Sequence, residues 1–367
     1  ATLVFTSAWG LTPGSRSIAS APRVILGDEP GESFGAVVAL PGDITGDGVA
    51  DVLVGAPSAG EGAGRVYLFS GAAILGSRAL RGDQAWARFE GPEGSATGTE
   101  LEVLGDVDGD GWMDWGVGAP QFPGGDAPPG RLTVISGAST VAESAPGTLS
   151  LSDAIVTIDG PNAGALLGEG FAAAGDLDGD GFADFAALAR DADTDSDGGT
   201  LLVVRGRGAG NWPAAPALAD LAAFGFSVTG LGDPDLDFTL SDLVAAAGDV
   251  DGDGIGDLWL GLPGFTGGSL RSGVLLLLPG RESGVGVAED AALTMLIPDP
   301  ASLDAVDVVD AHFGQPVTSL RDGTVWAGFE GPERGGAIGF GFARGQLPAQ
   351  STRVAVLRSA AGTPGGL

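Results

Sequence analysis

GDITGDGVADVLVGAP at 42–57 is the first of four copies of one sentence: GDVDGDGWMDWGVGAP follows at 105–120, GDLDGDGFADFAALA at 175–189 and GDVDGDGIGDLWLGLP at 248–263. Their first acids, Asp43, Asp106, Asp176 and Asp249, stand 63, 70 and 73 residues apart. A fixed period of this kind marks a repeat architecture, and each period has room for about four short strands with their turns. That is the size of one propeller blade.

The surroundings of the four copies agree with strands. A short apolar stretch precedes each acid loop, for example 34–40 and 243–247, and an alternating or wholly apolar stretch such as 52–55 follows it. About eight residues on comes a third run, at 65–69, 131–135, 201–204 and 273–278, and then a looser fourth, as at 87–90 and 154–158. Runs of this length, rich in Val, Leu and Phe and bounded by Gly, Pro and Asp, predict an all-β chain. No amphipathic helix of useful length is expected; 214–223 is the best candidate, and Pro216 weakens it.

A fifth, decayed copy begins at His312-Phe313-Gly314, with Arg321-Asp322-Gly323 where the acid loop belongs and strands at 325–329, 337–342 and 353–357. Two strands, 2–5 and 23–26, precede the first copy and are expected to complete or abut a blade near the C-terminus, closing a ring. The expected organisation is one β-propeller domain over 1–367, with closing strands in 1–27, repeats at 28–90, 91–158, 159–229 and 230–298, and a degenerate repeat at 299–367. About twenty-two strands divide evenly into neither five nor six four-stranded blades; six is the expected count, within a range of five to seven.

Each loop reads Asp-x-Asp-x-Asp-Gly-x-x-Asp. The acids are Asp43, Asp47 and Asp51, with Thr45 in the second place; Asp106, Asp108, Asp110 and Asp114; Asp176, Asp178, Asp180 and Asp184; and Asp249, Asp251, Asp253 and Asp257. Acids at positions 1, 3 and 5 of a tight loop converge on one point, Gly at 6 permits the turn, and Asp at 9 closes the shell. Position 7 offers a backbone carbonyl, from Val49, Trp112, Phe182 and Ile255. This is EF-hand ligand logic, shortened: position 12 is Val54, Val117, Ala187 or Leu260 instead of Glu, and strands flank the loop. Carboxylates held within ~5 Å repel one another by several kcal/mol at an effective dielectric near 20, so a compact loop calls for a divalent cation. All-oxygen, acid-rich ligation favours Ca²⁺, about four ions in all.

Composition excludes other classes. Acids number 48, of which 35 are Asp; the 17 basic residues are all Arg; the formal charge is −31. Such a surface repels phosphate backbones, which argues against nucleic acid as a partner. Cys is absent, which removes disulfides, thiolate zinc sites and cysteine nucleophiles together. The longest uninterrupted aliphatic run, 274–278, is far short of the ~20 residues that cross a bilayer. No basic-then-apolar export signal is visible in the first ten residues.

The pattern resembles the FG-GAP repeats of integrin α-subunit β-propellers: an aromatic-Gly start, the acid loop, and Gly-Ala-Pro after the second strand. Phe34-Gly35 and Phe313-Gly314 match the start, and Gly55-Ala56-Pro57 and Gly118-Ala119-Pro120 the end. Departures are Gly261-Leu262-Pro263, Ala187-Leu188-Ala189, and Thr97-Gly98 in place of the aromatic start. The resemblance implies a propeller with Ca²⁺ in the loops between first and second strands, on the face opposite a typical ligand-binding face. It implies a mainly structural role for the ions. The expected function is a non-enzymatic, calcium-stabilised, extracellular or cell-surface module for adhesion or assembly, with a protein or glycan partner. A glycan-binding propeller and, below it, a propeller-based hydrolase of the kind seen in FG-GAP-bearing phospholipases are the alternatives.

Weaker signals have plainer readings. Asp191, Asp193, Asp195 and Asp197 read first as a solvated acidic loop and second as a fifth cation site, and Asp233, Asp235 and Asp237, interrupted by Pro234, form a weaker cluster of the same kind. Arg81-Gly82-Asp83 spells a tripeptide that integrins recognise and is expected between a third and a fourth strand, a match that composition alone explains. His312, the only histidine, is expected to pack, and no GxSxG-type elbow accompanies it. The seven Trp residues are expected to fill space between blades.

Overall fold

The computed structural model describes residues 23–138, 154–190, 201–213, 216, 244–250, 252–261, 275 and 277–280, and the backbone of 198–200, 262, 274 and 276. It also describes the backbone of short strands at 2–5, 147–148, 222–229, 266–267, 270–271, 294–296, 317–319, 324–330, 335–341 and 352–358. The described chain is all-β, built mainly from four-strand antiparallel meanders in which each strand pairs with the next.

The first repeat forms Val38–Gly42, Asp51–Ala56, Arg65–Phe69 and Ala87–Glu90. The second forms Leu101–Gly105, Asp114–Ala119, Arg131–Ile135 and Val156–Asp159. The third gives Phe171–Gly175, Asp184–Arg190, Gly198–Val204 and Ala222–Thr229, and the fourth Val244–Gly248, Asp257–Leu262, Val274–Leu278 and Thr294–Leu296. The decayed fifth copy keeps the same meander, from Val317–Ser319 through Thr324–Glu330 and Gly335–Gly341 to Thr352–Arg358. The expected four-strand unit is therefore the unit observed.

The second strand carries the core of each of the first four meanders. In the first two repeats all six of its residues are buried, DVLVGA and DWGVGA, as are the first six of DFAALAR in the third. A strand covered on both faces reads as a continuous apolar run, which these do. Leu53, Val66, Leu68, Phe89, Leu101 and Trp115 pack in one core cluster, and Ile25, Phe34, Val54, Tyr67 and Phe69 in another. Phe34 meets Tyr67 edge to face at 5.3 Å, which accounts for the aromatic at the start of the first repeat. A separate cluster joins Ala186, Leu188, Leu201, Val203, Leu258 and Leu260. The chain forms two compact units, one of 1–106, 110–169 and 209–216, the other of 107–109, 170–208 and 217–367.

The glycine that opens Gly-Ala-Pro has a packing reason. A Cβ on Gly55 would overlap the Gly98 carbonyl, and one on Gly118 the Gly168 carbonyl. The Gly35 and Gly98 N–H groups in turn donate to the Gly55 and Gly118 carbonyls, at 2.9 Å each. Backbones approach here too closely for any side chain.

Two expectations change. Thr2–Phe5 pairs antiparallel with Arg23–Leu26, which runs parallel to Ala79–Arg81 in a three-stranded sheet. Among the described residues these strands join the first-repeat region and not a C-terminal blade, because Ala79–Arg81, in the third-to-fourth-strand connection, offers them an edge. A short helix, Gly71–Gly76, too brief to show a helical period in the sequence, follows the third strand of the first repeat, and the Ser70 hydroxyl oxygen accepts from Ala73 N–H. Of the candidate helix 214–223, the last two residues lie in the strand Ala222–Thr229, and most of the rest lies outside the described residues. Among the described residues no helix is long and apolar enough to cross a membrane.

Candidate metal centres

Each acid loop bridges a first and a second strand. The register shifts just before the loop in all four repeats, and the glycine there (Gly42, Gly105, Gly175, Gly248) pairs with the position-9 aspartate. Within the loop, the glycines at positions 4 and 6 all take φ between 74° and 96° (Gly46, Gly48, Gly109, Gly111, Gly179, Gly181, Gly252, Gly254). Side-chain-bearing residues resist that conformation, so the alternating Asp-Gly text is required by the turn. The position-4 glycine is needed for the same reason as the one at position 6.

The backbone coils around the position-1 carboxylate. Asp43 accepts N–H bonds from Asp47 (2.9 Å) and Gly48 (2.8 Å), and Asp176 from Gly179 (2.7 Å), Asp180 (3.1 Å) and Gly181 (3.0 Å). Asp106 accepts from Gly111 and Asp249 from Gly252. At position 5, Asp47, Asp110, Asp180 and Asp253 each accept the N–H of the position-7 residue, Val49, Trp112, Phe182 or Ile255, at 2.8–3.0 Å.

The position-9 aspartate is a latch. Asp51, Asp114, Asp184 and Asp257 are at most 1 % exposed. One oxygen of each accepts the N–H of a glycine just beyond the third strand: Gly71 (2.8 Å), Gly137 (3.0 Å), Gly206 (2.9 Å) and Gly280 (3.0 Å). In repeats one, three and four the other oxygen accepts from position 2, Ile44, Leu177 or Val250. The partner must be glycine because a Cβ there would overlap the position-8 carbonyl of Ala50, Met113, Ala183 or Gly256. No local pattern announces this contact; it is visible in the sequence only by aligning the repeats and noticing Gly71, Gly137, Gly206 and Gly280 in register.

The acids converge in threes, and the position-5 acid is one of the three only in the first loop. Ligand oxygens of Asp106, Asp108 and Asp114, and of Asp176, Asp178 and Asp184, lie within 4.8 Å of one another: positions 1, 3 and 9. In the first loop the trio is Asp43, Asp47 and Asp51. Thr45 stands at position 3 there, and its hydroxyl and N–H both donate to Asp51, at 3.1 and 2.7 Å. In the fourth loop Asp249, Asp253 and Asp257 are described and Asp251 lies outside the described residues.

Burial is the main influence on the carboxyl groups, and charge crowding adds to it in the third loop. Burial, with the charges of Asp178 and Asp180 added, pushes Asp184 up to about 7 against its two backbone hydrogen bonds. Burial and Asp180 raise Asp178 although Arg205 opposes them. Burial likewise raises Asp51. Asp47 moves down: burial works upward, but the Ser70 hydroxyl and the Ala72 N–H hold its ionised form.

Other candidates resolve differently. Arg81-Gly82-Asp83 is built into the fold: Gly82 is buried, a Cβ on it would press on Tyr67 and Asp28, and Asp83 N–H donates to Asp28 at 2.9 Å. Trp115 and Trp259 are buried core residues, whereas Trp112 at a loop tip is 36 % exposed. His312, the clusters at 191–197 and 233–237, and the decayed loop at 321–323 lie outside the described residues.

Comparison with known proteins agrees with the repeat text. A family model described as FG-GAP repeat matches residues 34–69, the first repeat from its aromatic start to its third strand. The chain is 30 % identical to integrin alpha-PS5 of Drosophila melanogaster over 168 residues, 45 % of this chain and 16 % of that protein. It is 38 % identical to integrin alpha-3 of Mus musculus over 102 residues (27 % and 9 %) and 30 % identical to integrin alpha-V of Gallus gallus over 223 residues (57 % and 20 %). The matched stretch spans a fifth or less of each of these relatives.

Proposed function

We propose that the chain is an FG-GAP repeat protein of the integrin-α-like kind and a calcium-stabilised β-propeller, a single domain over 1–367, serving as a non-catalytic scaffold for adhesion or protein interaction outside the cell. The observation that carries the reading is the recurrence of one acid loop at one place in four successive meanders, with three oxygens within 4.8 Å in each of the first three. The donors are all oxygen, and that span suits one ion with 2.3–2.6 Å bonds, whose opposed ligands lie about 5 Å apart. When bound, Ca²⁺ supplies the positive charge that lets three or four carboxylates share one loop. The side chains assigned to hold it are those of positions 1, 3, 5 and 9, including Thr45, Asp251 and Asp253, with the carbonyls of Val49, Trp112, Phe182 and Ile255.

The latch explains why such ions stabilise more than their own loops. Asp51, Asp114, Asp184 and Asp257 connect the first-to-second-strand hairpin to the end of the third strand, so ordering a loop orders three strands. Four ions would bring the formal charge from −31 to −31 + 8 = −23, still acidic. A protein partner is favoured over a glycan, since Trp115 and Trp259 are spent on the core. The test is melting of the full chain, and its capture by a panel of immobilised extracellular proteins, in millimolar Ca²⁺ and in excess chelator. A higher melting temperature and saturable capture in Ca²⁺ support the reading; identical melting in both buffers contradicts it.

A further inference from the structure

The four loops share their latch but not the residue that faces them. Directly before the latch glycine stand Ser70, Ser136, Arg205 and Pro279. In the first two repeats the serine hydroxyl donates to the position-5 carboxylate, Asp47 or Asp110. In the third, Arg205 reaches position 3 instead: its Nε lies 2.9 Å from Asp178 Oδ2, with the Asp178 side chain only 7 % exposed. The Nε–H is buried and makes no aligned hydrogen bond, so the contact is one of charge and not of direction. Asp178 is also one of the three acids whose oxygens converge in that loop. A guanidinium stays charged at any ordinary pH.

We propose that Arg205 is a built-in cation for the third loop: it neutralises Asp178 while no divalent ion is bound, and it makes this loop a weaker calcium site than its neighbours in repeats two and four. The inference rests on the calcium reading above. An incoming ion meets a unit positive charge already seated on one of its ligands and must displace it or share the carboxylate. Either course lowers affinity, by about tenfold for a unit charge ~5 Å from a divalent ion at the dielectric of bulk water. Serine at the matching position brings a hydroxyl and no charge. Arg205 therefore separates sites that the loop text makes look equal, those of repeats two, three and four, so that the third fills after its equals as calcium rises and empties before them as it falls.

The test is calcium binding to the metal-stripped full chain by isothermal titration, with equilibrium dialysis for stoichiometry. Wild type is expected to show a separable weak step. Arg205→Ser, which installs the residue of repeats one and two, should tighten that step about tenfold and leave the number of ions unchanged. Arg205→Lys should keep it weak, and Asp178→Asn added to Arg205→Ser should remove the gain. Metal-free Arg205→Ser should also melt below wild type and gain more from Ca²⁺, the mark of a lost internal counter-charge. Should Arg205→Ser fail to fold, Arg205→Gln carries the same expectation. Unchanged steps in a folded variant, or loss of an ion, would overturn the inference and leave the calcium reading standing. A wild-type chain that binds no calcium would overturn both.

Discussion

The first and third acid loops are built on one backbone and face different side chains. Both coil around a position-1 aspartate and both are held by a buried position-9 aspartate bonded to the glycine after the third strand. Yet the first has Thr45 at position 3 and Ser70 opposite, while the third has Asp178 and Arg205. The scaffold of the loop and the tuning of its charge are thus separable: the latch is common to the repeats, and the residue facing it varies.

That separation sets an order of effects. Removing calcium should affect every loop at once. With sites of the ~10⁻⁴ M class and Ca²⁺ near 2 mM, each ion adds about 1.8 kcal/mol, so chelation should lower the melting temperature by about 10 °C. Breaking one latch should come next. Asp51→Ala and Asp184→Ala each strand buried N–H groups and should cost about 3–5 kcal/mol in chelator as well as in calcium, as denaturant unfolding would record. A large loss only in calcium would mean that position 9 serves the ion alone and the separation is false. Gly137→Ala should cost about 1–3 kcal/mol, because its new Cβ meets the Met113 carbonyl.

Acidity distinguishes the loops next. In the ion-free protein the folded-state pKa of Asp184, about 7, lies above its ordinary 3.8, so its contribution to stability is fully present below about pH 4 and is lost as pH rises to about 7. Glu102, raised to about 7 by burial on the first strand of the second repeat, acts in the same direction. Chelated protein should therefore lose stability from pH 4 to 7. Asp184→Asn should flatten part of that slope and Glu102→Gln another part, measured by melts across the range. Ser70→Ala should be the mildest change, about 1 kcal/mol for one hydroxyl donor to Asp47, with the number of bound ions unchanged.

Much of this was legible in the text of the chain because the loops are local. Nine consecutive residues hold the converging acids, and strand runs such as Arg65–Phe69 and Arg131–Ile135 match their observed bounds. What was not legible depends on distance along the chain. Asp51 meets Gly71 twenty residues away, and Arg205 meets Asp178 across two strands, so no loop-sized window of sequence contains both partners. The pairing of Arg23–Leu26 with Ala79–Arg81 is of the same kind: strand propensity marks each segment but does not say which edge it will find.

Long-wavelength anomalous diffraction from crystals of the full chain grown in millimolar calcium addresses the central claim without intermediaries. The account predicts a calcium peak enclosed by the carboxylates of each of the four loops, at Asp43, Asp106, Asp176 and Asp249, with the third appearing after the second and fourth as calcium is raised. Ordered loops without peaks at saturating calcium would contradict it.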